Sequence, residues 1–191
     1  MESAENSFNP QRVKALAHPI RLALLEYLSS VDQGTATQCA EAINESVASC
    51  SFHLRTLAKH GFVEQAESPD AKSKPWRLSE TRQTRFSYDT PDEIAQFSTL
   101  GFAVLEQFSE RMREFWSAAP QLPEEAINRA LFSNISLWIT QDEHEELLKE
   151  IEKVLFRLRE RNTHPELRPE GAKHSTYFLA ATPNLRDYLD K

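Results

Sequence analysis

The stretch from Thr37 to Phe62, TQCAEAINESVASCSFHLRTLAKHGF, restricts the fold more than any other part of the chain. It reads as two short helices joined by a tight turn. Cys39, Ala40 and Ile43 place apolar atoms on one side of the first helix. Asn44-Glu45 supplies the turn, and Ser46 carries a side-chain oxygen suited to cap the second helix. In that second helix, residues 47–60, Val47, Cys50, Leu54 and Leu57 recur at intervals of three, four and three, which is a single stripe. Gly61 follows as a C-terminal cap. At about 100° per residue the opposite face carries Ala48, Phe52, Arg55 and Lys59, flanked by Ser49, Ser51 and Thr56. It contains no acid.

A helix held by one side, presenting a small, polar and cationic face, has the chemistry to enter the major groove of double-stranded DNA. The net charge of −7 over 191 residues, taken as a whole, opposes such a partner. Its distribution removes the objection. Residues 10–88 hold 10 Lys+Arg and 8 Asp+Glu, a net of +2, whereas residues 89–191 hold 12 and 19, a net of −7, and the first nine residues carry −2. A local basic face is enough to attract phosphate. The acid of the C-terminal half is most simply a solvated surface.

Other function classes find little support. Four glycines, at 34, 61, 101 and 171, leave no Walker or G-x-G-x-x-G loop. Two cysteines in a chain of this length suit a reducing compartment. There is no signal-peptide pattern and no apolar run of bilayer length, so a soluble, cytoplasmic protein is expected.

In chain order, residues 1–8 are polar and expected to be a flexible tail. Asn9-Pro10 opens a short helix with Val13, Leu16 and Ala17 inward, which His18-Pro19 interrupts. A second helix, Ile20 to Ser29, points Ile20, Leu24, Leu25 and Leu28 inward, and a polar link leads into the two-helix unit. After Gly61 the pattern alternates: residues 62–67 and 75–79 flank a turn-rich segment and read as a β-hairpin. Such a hairpin is a wing over residues 66–76. Lys72, Lys74 and Arg77 place cations where it would meet a flanking phosphate backbone or minor groove. Ordinary solubility is the alternative reading of each cation alone.

The segments LAHPIRLALLEYL (16–28), SFHLRTLAKHGFVE (51–64) and KPWRLSE (74–80), with the two-helix unit between them, resemble the winged-helix domain of bacterial ArsR-type repressors. The resemblance spans about residues 10–80. It implies a homodimer on a palindromic operator, with Ser49, Ser51, Phe52, His53 and Arg55 in or beside the groove. By the angle count His53 lies nearer the packed stripe than Phe52, so a phosphate contact and a purely structural role both remain open. Phe52 is unusual on a groove face, although an aromatic ring can press on a thymine methyl. Metal-sensing members carry C-V-C where this chain has Thr35-Ala36-Thr37, and the helix after the wing has no His or Cys. No metal site of the known types, and no cofactor, is expected. Cys39 and Cys50 fall on inward positions as small core residues, a thiol switch being the minority reading.

Thr90-Pro91-Asp92-Glu93 is a strong helix start. Ile94, Phe97, Gly101, Val104, Phe108, Met112 and Phe115 then repeat over residues 91–118, about 42 Å of helix. This stripe is expected to pair with its two-fold mate, burial against the chain's own C-terminal half being the alternative. Beyond Pro120 and Pro123 the sequence suggests a short helix (124–132), a strand (135–139), a helix after the Thr140–Glu143 capping box to about Arg161 that buries Leu147, Leu148, Ile151, Val154, Leu155 and Leu158, and a second strand (175–181).

The expected class is therefore α+β, mainly helical. A winged helix-turn-helix domain (1–89) precedes a long dimerisation helix (90–119) and a strand–helix–strand unit (120–191). His144, Glu145, His164 and His174 lack helical ligand spacing, and no nucleophile has a paired His and acid, so no enzyme is expected. Phe97, Phe102, Phe108, Trp116, Phe132, Trp138 and Tyr177 are core residues or the lining of a cavity for a small-molecule effector. The expected function is a DNA-binding transcriptional regulator, in all a homodimeric repressor. The alternative is a winged helix used as a protein–protein module without DNA.

Overall fold

The computed structural model describes residues 9–67, 74–79 and 90–189. The expected tail 1–8 and the tip of the wing, including Lys72, lie outside these residues. Helix α1 (Pro10–Leu16) begins where Asn9 Oδ1 accepts from the Arg12 amide at 3.1 Å, with proline at the first helical position. It stops at Ala17 because Pro19 disfavours helical backbone at His18. His18 in turn caps α2 (Pro19–Ser30), its Nδ1 accepting from the Ile20 amide at 3.2 Å. Helix α3 (Ala36–Ala42) starts in a capping box in which Thr35 and Gln38 each satisfy the other's amide. Helix α4 (Val47–Lys59) follows after the turn.

These helices close one core. Val13, Leu24, Leu28, Cys39, Cys50, Leu54, Leu57, Phe62 and Val63 are almost wholly removed from solvent. Each large aliphatic side chain so buried contributes about 1.5–3 kcal/mol. Strands β1 (Val63–Gln65) and β2 (Trp76–Leu78) pair antiparallel, with Val63 opposite Leu78, Glu64 opposite Arg77 and Gln65 opposite Trp76. A third edge comes from the link before α3: Gly34 and Trp76 exchange both backbone hydrogen bonds, at 2.9 and 2.8 Å. A side chain at Gly34 would meet the Tyr27 ring at 3.1 Å, so the close approach suits glycine. This is a winged helix-turn-helix. Helix α5 (Pro91–Ala118), opened by the Thr90–Glu93 capping box, then lies across α1 and α2, burying Leu100 with Phe97, Ala103 and Val104 packed beside it.

Beyond α5 the expectations fare less well. The short helix is only α6 (Glu124–Ile127). Helix α7 (Gln141–Phe156) forms behind its capping box but ends earlier than expected, a 3-10 turn covering Arg159–Asn162. Its apolar residues are not buried as expected: Leu147, Val154, Leu155 and Leu158 are exposed, and Leu148 and Ile151 only half-buried. Segments 135–139 and 175–181 form no strands, so the expected strand–helix–strand unit is absent from the single chain. Their alternation is real, but a strand needs a neighbour for its N–H and C=O groups. Among the described residues neither segment makes a backbone hydrogen bond. A short helix, α8 (Arg186–Leu189), ends the described chain.

The segment after α7 is tethered to the winged domain at a few points. Arg168 Nη1 meets Asp32 Oδ1 at 2.6 Å, His174 Nε2 lies 3.3 Å from Ser29 Oγ, and Phe178 stacks on Phe108 at 4.7 Å between centroids.

Candidate nucleic-acid interface

The turn between α3 and α4 sets the direction of the exposed helix. Asn44 takes a left-handed φ of 53°, and the Glu45 amide bonds to the Ala40 carbonyl at 2.9 Å. Ser46 Oγ accepts from the Ser49 amide at 3.1 Å and starts α4. At the far end the chain leaves through Gly61, whose φ of 72° is costly for any residue with a Cβ. Cys50, Leu54 and Leu57 have no exposed surface, so α4 is fixed from one side. Val47, expected at the head of that stripe, is 46% exposed; the helix becomes buried only one turn later.

The opposite side is open. Ala48, Phe52, Arg55 and Lys59 are exposed, and Ser49, Ser51 and Thr56 are half-buried at its margins. Phe52 is 62% exposed. Arg55 Nε donates to the Ser51 carbonyl at 3.1 Å, which lays the guanidinium along the helix. Among the described residues neither Arg55 nor Lys59 has a carboxylate partner. Thr56 Oγ1 donates back to the Phe52 carbonyl at 3.1 Å.

His53 does not share this face. It is 8% exposed, its ring 4.4 Å from that of His18, and its Nδ1 is buried with no hydrogen-bond partner. Burial, then His18 and Arg21, hold its pKa below the ordinary value, against a smaller opposing effect of Glu45. His18 is lowered chiefly by burial and then by Arg21. Both imidazoles are neutral near pH 7. Of the two roles left open for His53, the burial of its ring against His18 at the start of α2 fits packing rather than contact.

On the wing, Lys74 is exposed, as is Arg77. Arg77 Nη2, however, pairs with Glu64 Oε1 at 2.8 Å across the two strands. The register that aligns Arg77 with Glu64 gives that cation a carboxylate partner, a relation no single strand reveals. Arg12, not singled out from the sequence, lies 4.8 Å above the Phe62 ring and close to Gly61.

The α5 stripe divides between two faces. Phe97 and Val104 pack into the chain's own core, and Phe108 is taken by Phe178, so these three are not the free face that was expected. Phe115 stands edge-on to Trp116. Ile94 remains exposed, and nothing lies within 4 Å of a Cβ built on Gly101. Phe102, Leu105 and Trp116, outside the expected set, join this side and are exposed at 73%, 49% and 48%.

A cavity of about 760 Å³ opens between α2, α5, the α3–α4 turn and residues 174–176, lined by Glu26, Tyr27, Asn44, Gln107, Arg111 and His174 among others. Gln107 and Arg111 both engage the Glu26 carboxylate. None of the seven aromatics considered from the sequence lines it. Cys39 and Cys50 are buried free thiols; burial, followed by the neighbouring Cys50, pushes Cys39 to about 11. Among the described residues no three His, Cys, Asp or Glu side chains converge as metal ligands would, and no helix is long and apolar enough to cross a membrane. His164 contacts Glu166, and His174 contacts Ser29.

A family model described as a helix-turn-helix domain matches residues 16–66. No curated protein matches the chain. Among solved structures, the chain is similar to the homodimeric winged helix-turn-helix DNA-binding domain (fragment 1–100) of a possible ArsR-family transcriptional regulator from Mycobacterium bovis. Identity is 23%, over 50% of this chain and 77% of that one, with a TM-score of 0.33. It is also similar to a mutant of MepR from S. aureus bound to an oligodeoxyribonucleotide, with 17% identity, coverage of 73% and 78% and a TM-score of 0.30. A third is the adhesin competence repressor AdcR from Streptococcus pyogenes, with 16% identity, coverage of 65% and 75% and a TM-score of 0.28.

Proposed function

We propose that the chain is a DNA-binding transcriptional regulator, acting as a homodimeric repressor of ArsR type. Helix α4 enters the major groove of a palindromic operator, and the wing lies on the flanking backbone or minor groove. The observation that carries this reading is the acid-free outer face of α4, with Arg55 and Lys59 free of a carboxylate among the described residues, beside exposed Phe52 and Ala48. A helix fixed by Cys50, Leu54 and Leu57 and bare on the other side loses nothing by receiving a duplex there. Base and phosphate contacts fall to Ala48, Ser49, Ser51, Phe52, Arg55, Thr56 and Lys59, and backbone contacts to Lys74 and the wing tip with Lys72. Arg77 serves only if it exchanges Glu64 for phosphate.

Two recognition helices must reach successive turns of one face of the duplex, about 34 Å apart. The second comes from a two-fold mate seated on the exposed side of α5, through Ile94, Gly101, Leu105, Met112 and Trp116. The division into 1–89, 90–119 and 120–191 follows this assignment. A small-molecule effector would act from the cavity that touches Asn44, since that turn aims α4. A regulator of this kind works in the bacterial cytoplasm.

Selection of bound sequences from random duplex DNA with the purified chain tests the reading. The expected product is a two-fold palindrome with half-sites one helical turn apart. Recovery of no enriched sequence, with no salt-sensitive complex, would overturn it. Exposed Phe52 gives the protein–protein module its one favourable observation; in that case Phe52→Ala abolishes partner capture and DNA never binds.

A further inference from the structure

The chain exposes 14,641 Å², against about 9,300 Å² for a compact monomer of 21.9 kDa. If the residues outside the described ones are credited with the area of a fully extended chain, the rest still expose about 2,000 Å² more than the roughly 8,300 Å² of a compact body of their own mass. The excess lies mostly in one region. Sixteen of the 22 exposed large hydrophobic side chains among the described residues lie beyond residue 130. Ile135, Leu137 and Trp138 stand in solvent, as do Leu147, Val154 and Leu155 on α7. An apolar face of that size is covered in a stable protein. An excess near 2,000 Å² per chain matches what an obligate dimer buries.

Two features select the occupant. The stretch 141–161, α7 with the turn behind it, is polar in its charge: Asp142, Glu143, Glu145 and Glu146 come before any base, Lys149 and Lys153 are balanced by Glu150 and Glu152 within the helix, and Arg157, Arg159 and Arg161 follow it against Glu160 alone. Turned antiparallel on a two-fold axis, such a stretch sets the acidic start of α7 against the arginines that follow α7 in an identical copy. The alternating segments 135–139 and 175–181 also have free backbone groups, as strands awaiting a neighbour do.

We propose that the apolar face of residues 131–158 is closed by a second copy of this chain. The two α7 helices run antiparallel, and segments 135–139 and 175–181 find their backbone partners across the two-fold axis. This extends the dimer of the proposed function from α5 to the C-terminal arm. It needs no DNA.

Sedimentation velocity of the full chain without DNA is the test, beside the variant carrying Leu137→Lys and Val154→Lys. Both side chains are exposed in the single chain, so a monomer would not notice their loss. The expected result is a dimer near 44 kDa, twice 21.9 kDa, whose dissociation constant rises roughly 100-fold or more in the variant, with unchanged helicity. A monomeric full chain, or a variant dimer of unchanged affinity, would overturn the proposal. Lysine cross-linking of mixed heavy- and light-isotope chains keeps the question decidable if the variant fails to fold. Heavy–light links between Lys149 and Lys153 support the antiparallel pair, and light–light and heavy–heavy links alone contradict it. Neither measurement contains DNA: a variant dimer of unchanged affinity sinks this proposal and leaves the operator reading, with its dimer through α5, standing, whereas a monomeric full chain counts against both.

Discussion

Replacing Arg55 by alanine separates binding from folding. Arg55 is exposed, contributes no apolar surface to the core and holds one hydrogen bond, to the Ser51 carbonyl at 3.1 Å within its own helix. Alanine has the better helix propensity. The variant should therefore melt within about 0.5 kcal/mol of the parent chain. On DNA the cost is different. An arginine that reads a base or clamps a phosphate is worth about 1–3 kcal/mol, and a homodimer loses two, giving about 2–6 kcal/mol per operator. Fluorescence anisotropy on the selected duplex, repeated across salt concentrations, resolves the mechanism. If Arg55 meets phosphate, the slope of log affinity against log salt falls by about 2 per dimer; if it meets a base, the slope holds and sequence discrimination relaxes at one position per half-site. An Arg55→Ala protein with parental affinity, slope and specificity would refute the placement of α4 in the groove.

Other outcomes follow from the same geometry. Leu54→Ala should cost about 2–5 kcal/mol in urea titration, since Leu54 has no exposed surface and its removal leaves a cavity under α4. The pKa values of His18 and His53 are lowered below 6.5 in the folded chain, so the unfolded chain takes up protons first as pH falls. Stability is then full above pH 6.5 and declines below it, by at most about 1.4 kcal/mol per pH unit for each histidine. Melting curves between pH 8 and 5 should show that decline, and His53→Leu should flatten it. Cys39, buried with its thiol near 11, should react with an aromatic disulfide reagent only at the rate of unfolding, and fast labelling in native buffer would contradict its placement.

Features that depend on a few consecutive residues were legible in the sequence. Ser46, Gly61 and the Thr90–Glu93 box mark the ends of α4 and α5 because capping is a local contact. The angular count correctly opposed Arg55 and Lys59 to Leu54 and Leu57. It left His53 undecided, since that position sits on the border between faces and only the His18 ring decides it. What depends on a distant partner was hidden. The Gly34–Trp76 bridge and the Arg77–Glu64 pair require the hairpin register. Helix α5 carries apolar residues on two sides, and periodicity alone does not say which of them the chain keeps for itself. In 135–139 and 175–181 alternation reports a one-sided surface without naming what covers it.

Hydroxyl-radical footprinting of Phe52, with and without the selected duplex, tests most directly whether the outer side of α4 receives DNA. Phe52 is 62% exposed in the free chain, and Tyr188, 68% exposed and far along the sequence, provides the internal reference. Oxidation of Phe52 should fall several-fold at saturating duplex while Tyr188 is unchanged. An unaltered Phe52 rate in a fully formed complex would mean that the duplex binds elsewhere.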